Sequence, residues 1–382
     1  MSTAFVNGRI LVGGTIATGM AVVARAGRIE SILPRTDVPT NARAVDLEGG
    51  TLVPGFIDIQ VNGGGGVLFN DRPTLEGLQS IARAHALSGT TGFLPTTVSA
   101  DLDTIAQAIA AVDQAIAGGI PGILGIHIEG PFLSPSRSGI HDPANFREID
   151  ERAIALLSSL KRGKTLVTLA PEIVKPGVIE ALSKAGVAVC AGHTDATFEE
   201  TQAALAAGLR GFTHVFNAMT PLKNREPGVV GAALDDRDSW CGIIMDGFHV
   251  HPAVLRMAYR AKGPDKLMLV TDAMPPVGSA AKTFRLQGRI ITAKDGVCVA
   301  PDGTLAGTDI GMATAVRNAM TFLNIGLAGA SRMASANPAA FLGLRRETGE
   351  IARGARADFV LLGDALEVRQ TWVGGEPQIP VS

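Results

Sequence analysis

GILGIHIEGPF, from Gly122 to Phe132, sets a histidine and a glutamate inside an apolar run. Side chains alternate along an extended strand, so Ile126 and Ile128 share one face while His127 and Glu129 share the other. A strand of this kind suits a barrel or sheet whose outer face packs under helices and whose inner face carries chemistry. Burying a carboxylate costs several kcal/mol unless something cationic compensates it, and the local sequence supplies nothing of the sort. The stretch therefore predicts a partner brought by the fold from elsewhere, and a metal ion is one candidate.

The same pattern, a short apolar strand ending in polar residues and followed by an alanine-rich helical segment, repeats on both sides. The strands read FIDIQVNG (56–63), GFLPTT (92–97), GILGIHIEG (122–130), LVTLAPE (166–172), VAVCAGHT (187–194), GFTHVFNAM (211–219), CGIIMDGFHV (241–250) and LMLVTDAM (267–274). Between them lie segments such as TLEGLQSIARAHALSG and DLDTIAQAIAAVDQAIAGG, with Thr or Asp at their starts, apolar residues at helical spacing and Gly beyond their ends. Eight alternations favour a closed (β/α)8 barrel over a doubly wound sheet. The glycine fingerprints of dinucleotide and P-loop sites are absent. Residues 1–53 and 350–382 alternate apolar and polar with turns such as RAGRIE and VDLEGG, which predicts a small β-sandwich domain built from both termini around a barrel at 54–349. After the eighth strand, KTFRLQGRIITAKDGVCVAPDGTLAG reads as an inserted pair of hairpins with Asp-Gly turns.

Composition narrows the function classes. Lysine plus arginine number 34 against 36 aspartate plus glutamate, with 46% hydrophobic residues, so nucleic acid and anionic membranes are not expected partners. Cys190, Cys241 and Cys298 are widely spaced and form neither a zinc cluster nor a disulfide framework, which points to the cytoplasm. The uncharged run Ile10 to Ala24 resembles a secretory apolar segment, but Gly13, Gly14, Gly19 and two threonines fit strands and turns better.

In a barrel the C-terminal strand ends meet on one face. Gln60 and Asn62, Glu129, His193, His214, Asp246 and His249, and Asp272 all stand at such ends. Residues 64 and 21 positions apart become neighbours there, and one carboxylate with two imidazoles is a ligand set for a catalytic zinc-like ion. Such an ion can bring the pKa of a retained water from 15.7 to about 7, which makes hydrolysis the natural reaction class. Asp272, in VTDAM, is placed to take the proton of the water and deliver it to a departing amine. His141, in SGIHDP, is a candidate to polarise a scissile carbonyl.

The motifs IHIEGPF, AGHTDAT, THVFNAMTP, DGFHV and LVTDAM, with PGFIDIQVNG and GARADFVLL at the flanks, resemble the amidohydrolase superfamily and, within it, the N-acetylglucosamine-6-phosphate deacetylases, over nearly the whole chain. The resemblance implies hydrolysis of N-acetyl-D-glucosamine 6-phosphate to D-glucosamine 6-phosphate and acetate, in amino-sugar catabolism and cell-wall recycling. It implies one divalent metal, zinc with iron or another ion as alternatives, on Glu129, His193 and His214, with Asp272 as acid and base and His141 on the carbonyl. Substrate binding falls by the same resemblance to His249, Arg225, Gln60 and the backbone around Asn217 and Ala218, in a homodimer where Arg225 reaches in from the neighbouring subunit. Many amidohydrolases carry HxH after the first strand and a carbamylated lysine after the fourth. Here Gln60-Val61-Asn62 and Pro171-Glu172 stand instead, which speaks against a two-metal site.

Plainer readings fit other residues. His127 lies one layer below Glu129 and reads as a hydrogen-bonded interior histidine. His85 and His251 read as surface or capping residues, and Cys190 and Cys241 as packing. On strand parity Asp58 is divided between the metal face and a structural role. Rival functions are deacetylation of the galactosamine epimer, hydrolysis of a cyclic amide, and a catalytically silent barrel retained for assembly.

Overall fold

The computed structural model describes residues 2–379. Its centre is an eight-stranded, all-parallel sheet in sequential order. We label its strands β1 (Phe56–Val61), β2 (Thr90–Val98), β3 (Gly125–Glu129), β4 (Lys164–Leu169), β5 (Ala188–Ala191), β6 (Gly211–Phe212), β7 (Trp240–Ile244) and β8 (Leu267–Val270). The sheet closes on itself: Val61 bridges Ala273 in parallel, and the Asn62 amide donates to the Ala273 carbonyl at 2.9 Å. Sequential parallel order with closure is the TIM-barrel solution, and it brings all eight strand ends to one rim.

The intervening helices begin where side-chain acceptors are available. Thr74 caps Leu75–Ala86 by accepting from Gly77 N, Asp101 caps Leu102–Ala117 by accepting from Thr104 N, and Thr197 with Glu200 forms a reciprocal capping box at Phe198–Ala206. Ile126 and Ile128 of the decisive strand join the layer packed under these helices. Gly125 opens β3 at φ 153, and a Cβ there would collide with the Lys164 carbonyl, so the strand starts with the one residue that fits.

Both termini build separate sheets. Thr51–Pro54 lies in a six-stranded sheet with Phe359–Leu362 and Arg9–Val12 as its neighbours, while Thr3–Val6, Met20–Arg25, Arg28–Pro34 and Arg43–Asp46 form a four-stranded one. Phe5 of the smaller sheet packs edge-on against Phe359 and Trp372 of the larger, with ring centroids 5.1 and 5.2 Å apart, and this contact joins the N- and C-terminal segments. The insertion after β8 is a four-stranded antiparallel meander, Thr283–Leu286, Arg289–Lys294, Val297–Val299 and Leu305–Thr308. Among the described residues no helix is long and apolar enough to cross a membrane.

Strand parity alone misplaces the residues of β1. Asp58 pairs with Phe93 and Val61 with Pro95, so Ile59 and Gln60 together stand opposite Leu94, a β-bulge. Ile57 and Ile59 pack with Leu94, Leu166, Cys190 and Met268, whereas Val61 belongs to the outer layer. The bulge switches the alternation, sending Gln60 and Asn62 toward the rim and leaving Asp58 at the β1–β8 seam. There Asp58 accepts from Thr271 Oγ1 at 2.5 Å, Thr271 N at 3.3 Å and Gln60 N at 3.2 Å. It is a structural clasp and touches none of the candidate ligands. His85 also departs from expectation: it is fully buried, and its Nε2 contacts the Gly63 carbonyl at 2.9 Å, tying its helix to the loop after β1. His251 does cap a helix, accepting from Ala253 N.

Burial pushes the Asp58 carboxyl up to about 7 despite its three donors. A carboxyl raised in the folded state holds a proton that the unfolded chain has released, so its contribution favours folding at low pH and fades as pH rises from about 4 to about 7. Asp58→Asn keeps the acceptor and removes the titration. In chelator-treated protein, the unfolding free energy of Asp58→Asn should gain on wild type across that interval. Parallel pH curves for the two proteins would contradict this account of the seam.

Candidate metal centre

Each candidate ligand sits where a barrel strand stops. Glu129 is the last residue of β3, and His193, His214 and Asp272 lie two residues beyond β5, β6 and β8. The last three adopt left-handed backbone, with φ of 49°, 31° and 51°. Such geometry is costly for residues with a Cβ and concentrates at functional sites. Here it turns each side chain from the strand direction toward the barrel axis.

The result is a tight convergence. Glu129 Oε1 stands 2.9 Å from His214 Nε2 and 3.3 Å from His193 Nε2, and the two nitrogens are 3.1 Å apart. All three residues are buried. His193 Nδ1 faces the Arg137 carbonyl at 2.9 Å; a carbonyl only accepts, so the proton belongs on Nδ1 and the Nε2 lone pair points at the cluster. A tetrahedral ion with bonds of about 2.0–2.1 Å spaces its ligands roughly 3.3–3.4 Å apart, close to the observed separations. The donor set and its spacing fit a divalent cation, and among the described residues this is the one group of three potential ligands that converges.

The electrostatics fit a cation as well. Burial raises Glu129, but its contacts with His193 and His214 overcome this and hold the carboxylate well below its ordinary range. Burial likewise opposes charge on His214, yet its contact with Glu129 outweighs this and lifts its pKa. Asp272 is raised, first by burial and then by the negative charge of Glu129.

Two amides bind the two carboxylates together. Gln60 Nε2 lies 3.1 Å from both Glu129 oxygens and 3.2 Å from Asp272 Oδ1, and Asn62 Nδ2 donates to that same Oδ1 at 2.6 Å. Gln60 is thus spent on the carboxylates and does not line the adjoining cavity, in contrast to the substrate-contact role expected of it. Asn62 does line it.

The cavity beside the centre has a volume of about 350 Å3 and is bordered by Asn62, His141, Asn217, Ala218, His249 and Asp272 together with the three ligands. His141 Nδ1 receives Ser99 N at 3.3 Å and contacts Ser99 Oγ at 2.7 Å; a backbone N–H only donates, so the neutral ring carries its proton on Nε2. Burial, followed by the neighbouring His193, holds its pKa well below the usual histidine value. His249 Nδ1 meets Asp246 Oδ2 at 2.6 Å, and Asp246 Oδ1 accepts from the backbone of Phe248 and His249. Arg225 lies elsewhere: it is exposed and lines a neighbouring cavity of about 470 Å3, with Arg137 shared between the two. A larger cavity of about 780 Å3, bordered by Lys164, Arg210 and Trp240, opens at the opposite end of the barrel and holds none of the converging ligands.

His127 lies beneath the centre, with Nδ1 at 3.0 Å from the Ile59 carbonyl and Nε2 at 2.7 Å from Thr168 Oγ1, a hydrogen-bonded interior residue. Ser99, Arg137 and Asp246 are supports that sequence reasoning passed over as site residues. Ser99 N and the Arg137 carbonyl are backbone groups on loops, which leave no mark in residue type. Asp246 stood among the strand-end polar residues, and its spacing of three from His249 was the available signal.

Comparison with known proteins agrees with this geometry. The Amidohydrolase family model matches residues 51–377. The N-acetylgalactosamine-6-phosphate deacetylase of Shewanella sp. (strain ANA-3) is 47% identical over 86% of this chain and 84% of its own. The N-acetylglucosamine-6-phosphate deacetylase of Haemophilus influenzae is 35% identical over 98% and 99%. The crystal structure of N-acetylglucosamine-6-phosphate deacetylase from Pasteurella multocida superposes with a TM-score of 0.95 at 35% identity, covering 99% of both chains. A family match over most of the residues, relatives aligned nearly end to end, and a barrel rim built around a ligand trio together establish that this chain belongs to the amidohydrolase family.

Proposed function

We propose that the protein hydrolyses the acetamide of N-acetyl-D-glucosamine 6-phosphate, giving D-glucosamine 6-phosphate and acetate, and so serves amino-sugar catabolism and recycling. The observation that carries the proposal is the convergence of Glu129, His193 and His214 within reach of an Asp272 fixed by two amides. The relatives at 35–47% identity supply the substrate class.

Zinc is the ion we assign, since two imidazoles and a carboxylate suit it, although the same donors accept iron. Bound there, a divalent cation supplies Lewis acidity and acidifies water. The chain's own groups manage the rest. Asp272 Oδ1 is occupied by Asn62 and Gln60, which leaves Oδ2 to accept the proton of the attacking water. Its raised pKa suits a group that must hold that proton until the C–N bond breaks, then deliver it to the departing amine. As the water oxygen bonds to the acetyl carbon, His141 Nε2–H donates to the carbonyl oxygen on which charge develops. His249, with Nδ1 anchored on Asp246, presents Nε2 to the 6-phosphate, and the backbone near Asn217 and Ala218 offers further donors.

We further propose a homodimer in which Arg225 serves the partner's phosphate site. Its exposure, and its lack of a carboxylate within salt-bridge distance among the described residues, support that role. Three buried cysteines without a disulfide support a cytoplasmic setting.

One observation favours a second reading: the relative at 47% identity acts, by its name, on the galactosamine epimer. Acetate release from both 6-phosphates decides between them. The glucosamine epimer should have the higher kcat/KM, and a tenfold advantage for the other would transfer the assignment. Turnover of neither, with turnover of a cyclic amide, would move the enzyme to another branch, and no turnover at all would favour a silent barrel.

Two substitutions test the roles. Asp272→Asn should retain stoichiometric metal by elemental analysis while losing on the order of 10²–10⁴ in kcat, the usual worth of a positioned acid–base group. Undiminished turnover would remove Asp272 from the reaction. His249→Ala should mainly raise KM for the phosphorylated substrate, and an equal loss on N-acetylglucosamine itself would argue against a phosphate contact.

A further inference from the structure

Glu172 lies three residues beyond β4, in the short 3-10 turn Pro171–Ile173, where many amidohydrolases carry a carbamylated lysine, yet it is not among the three converging ligands. Both of its oxygens are engaged on the segment that follows His193. Thr194 Oγ1 donates to Oε2 at 2.6 Å, and the Asp195 amide donates to Oε1 at 2.7 Å. Asp195 Oδ1 in turn accepts from Arg137 Nε at 2.8 Å, and the Arg137 carbonyl accepts from His193 Nδ1 at 2.9 Å. The contacts form a closed circuit that leaves the ligand along the backbone and returns to it through its ring.

His193 needs such a circuit. Its left-handed backbone, φ 49°, is unfavourable for a residue with a Cβ, and the conformation persists only when its surroundings over-determine it. Ser134 N bonds to the His193 carbonyl, and Thr194 N bonds to the Ala218 carbonyl. Those two bonds fix the peptide that joins His193 to Thr194. They do not fix the ring. Ring orientation and tautomer depend on the Arg137 carbonyl, and that carbonyl is held against the Thr194–Asp195 segment by the Arg137–Asp195 ion pair.

We infer that Glu172, Asp195 and Arg137 form an outer clamp that aims His193 Nε2 and thereby sets the affinity of the metal centre. They are positioning residues, and none is assigned a ligand bond. The inference rests on the metal-centre reading above and adds to it the residues that tune metal retention. It also gives the carboxylate just beyond β4 a role: in place of bridging a second ion, it braces one ligand of the centre proposed above.

The test measures zinc affinity of the purified full chain by competition with a chromogenic chelator, alongside thermal unfolding of the metal-free protein. Loss of an outer-shell partner typically costs 10–100-fold in metal affinity. Glu172→Ala should weaken zinc binding by about tenfold or more. Glu172→Gln keeps one acceptor for Asp195 N and can pair its amide with the Thr194 hydroxyl, so it should restore affinity to within about threefold of wild type. The unfolding temperature of the metal-free protein should change little in either. Wild-type affinity in folded Glu172→Ala would overturn the clamp, as would equal losses in the two variants. If Glu172→Ala does not fold, Arg137→Ala carries the same expectation and the same refutation. A wild-type chain that binds no zinc would remove the centre itself and the clamp with it, a result distinguishable from a wild-type chain that binds zinc as tightly as its variants do.

Discussion

A buried carboxylate facing two buried imidazoles is the constraint around which this molecule is arranged. Glu129 is 2% exposed, too deep for water to compensate its charge, and desolvation alone would force it to take up a proton. The contacts with His193 and His214 reverse that outcome. No local sequence can assemble such a group, because its members belong to β3 and to the ends of β5 and β6. Only a closed parallel barrel, with its strand ends gathered on one rim, brings them within 3.3 Å of one another.

The rim is also where the backbone is least comfortable. His193, His214 and Asp272 all hold left-handed geometry, which for residues bearing a Cβ costs roughly 1–2 kcal/mol each. The barrel's packed layers offset this. Leu94, Leu166, Cys190 and Met268 fill the lumen beneath the centre, and His127, Thr168 and Thr213 link β3, β4 and β6 through hydrogen bonds just below the ligands. The strained residues therefore stand on a floor in which polar groups are paired and apolar groups are packed. Rigid support from below, with strain confined to the last turn of chain, holds the donor atoms ready for a cation rather than leaving them to be gathered by it.

How much of this was legible depended on whether a feature repeats or occurs once. Eight apolar strands with capped helices between them repeat, and the barrel followed from that repetition. Glu129, His193, His214 and Asp272 were readable because each carries its chemistry in its own side chain at the end of a strand. Asp58 was not readable, since a single bulge at Ile59–Gln60 reverses the alternation on which its placement depended. Gln60 was legible as a rim residue but not as a donor to two carboxylates, for that requires knowing that Glu129 and Asp272 lie on either side of it. Ser99 N and the Arg137 carbonyl are main-chain groups, the same at every position, so those contacts left no signal in residue type.

The first strand also shapes the surroundings of the two carboxylates. Gln60 donates to both oxygens of Glu129, and Asn62 and Gln60 donate to one oxygen of Asp272. Amide N–H groups aimed at carboxylates satisfy them without adding ring nitrogens to the site. Histidines at the same two positions would offer ring nitrogens to a second ion, and would bring Glu129 and Asp272 together as ligands shared between two charges. With amides there, Asp272 keeps a free oxygen and a raised pKa, the properties of a proton carrier rather than of a saturated ligand. The amides on β1 therefore do two things at once: they add no ring nitrogen to the trio on β3, β5 and β6, and they engage one oxygen of Asp272, which suits the proton-carrying role proposed for it.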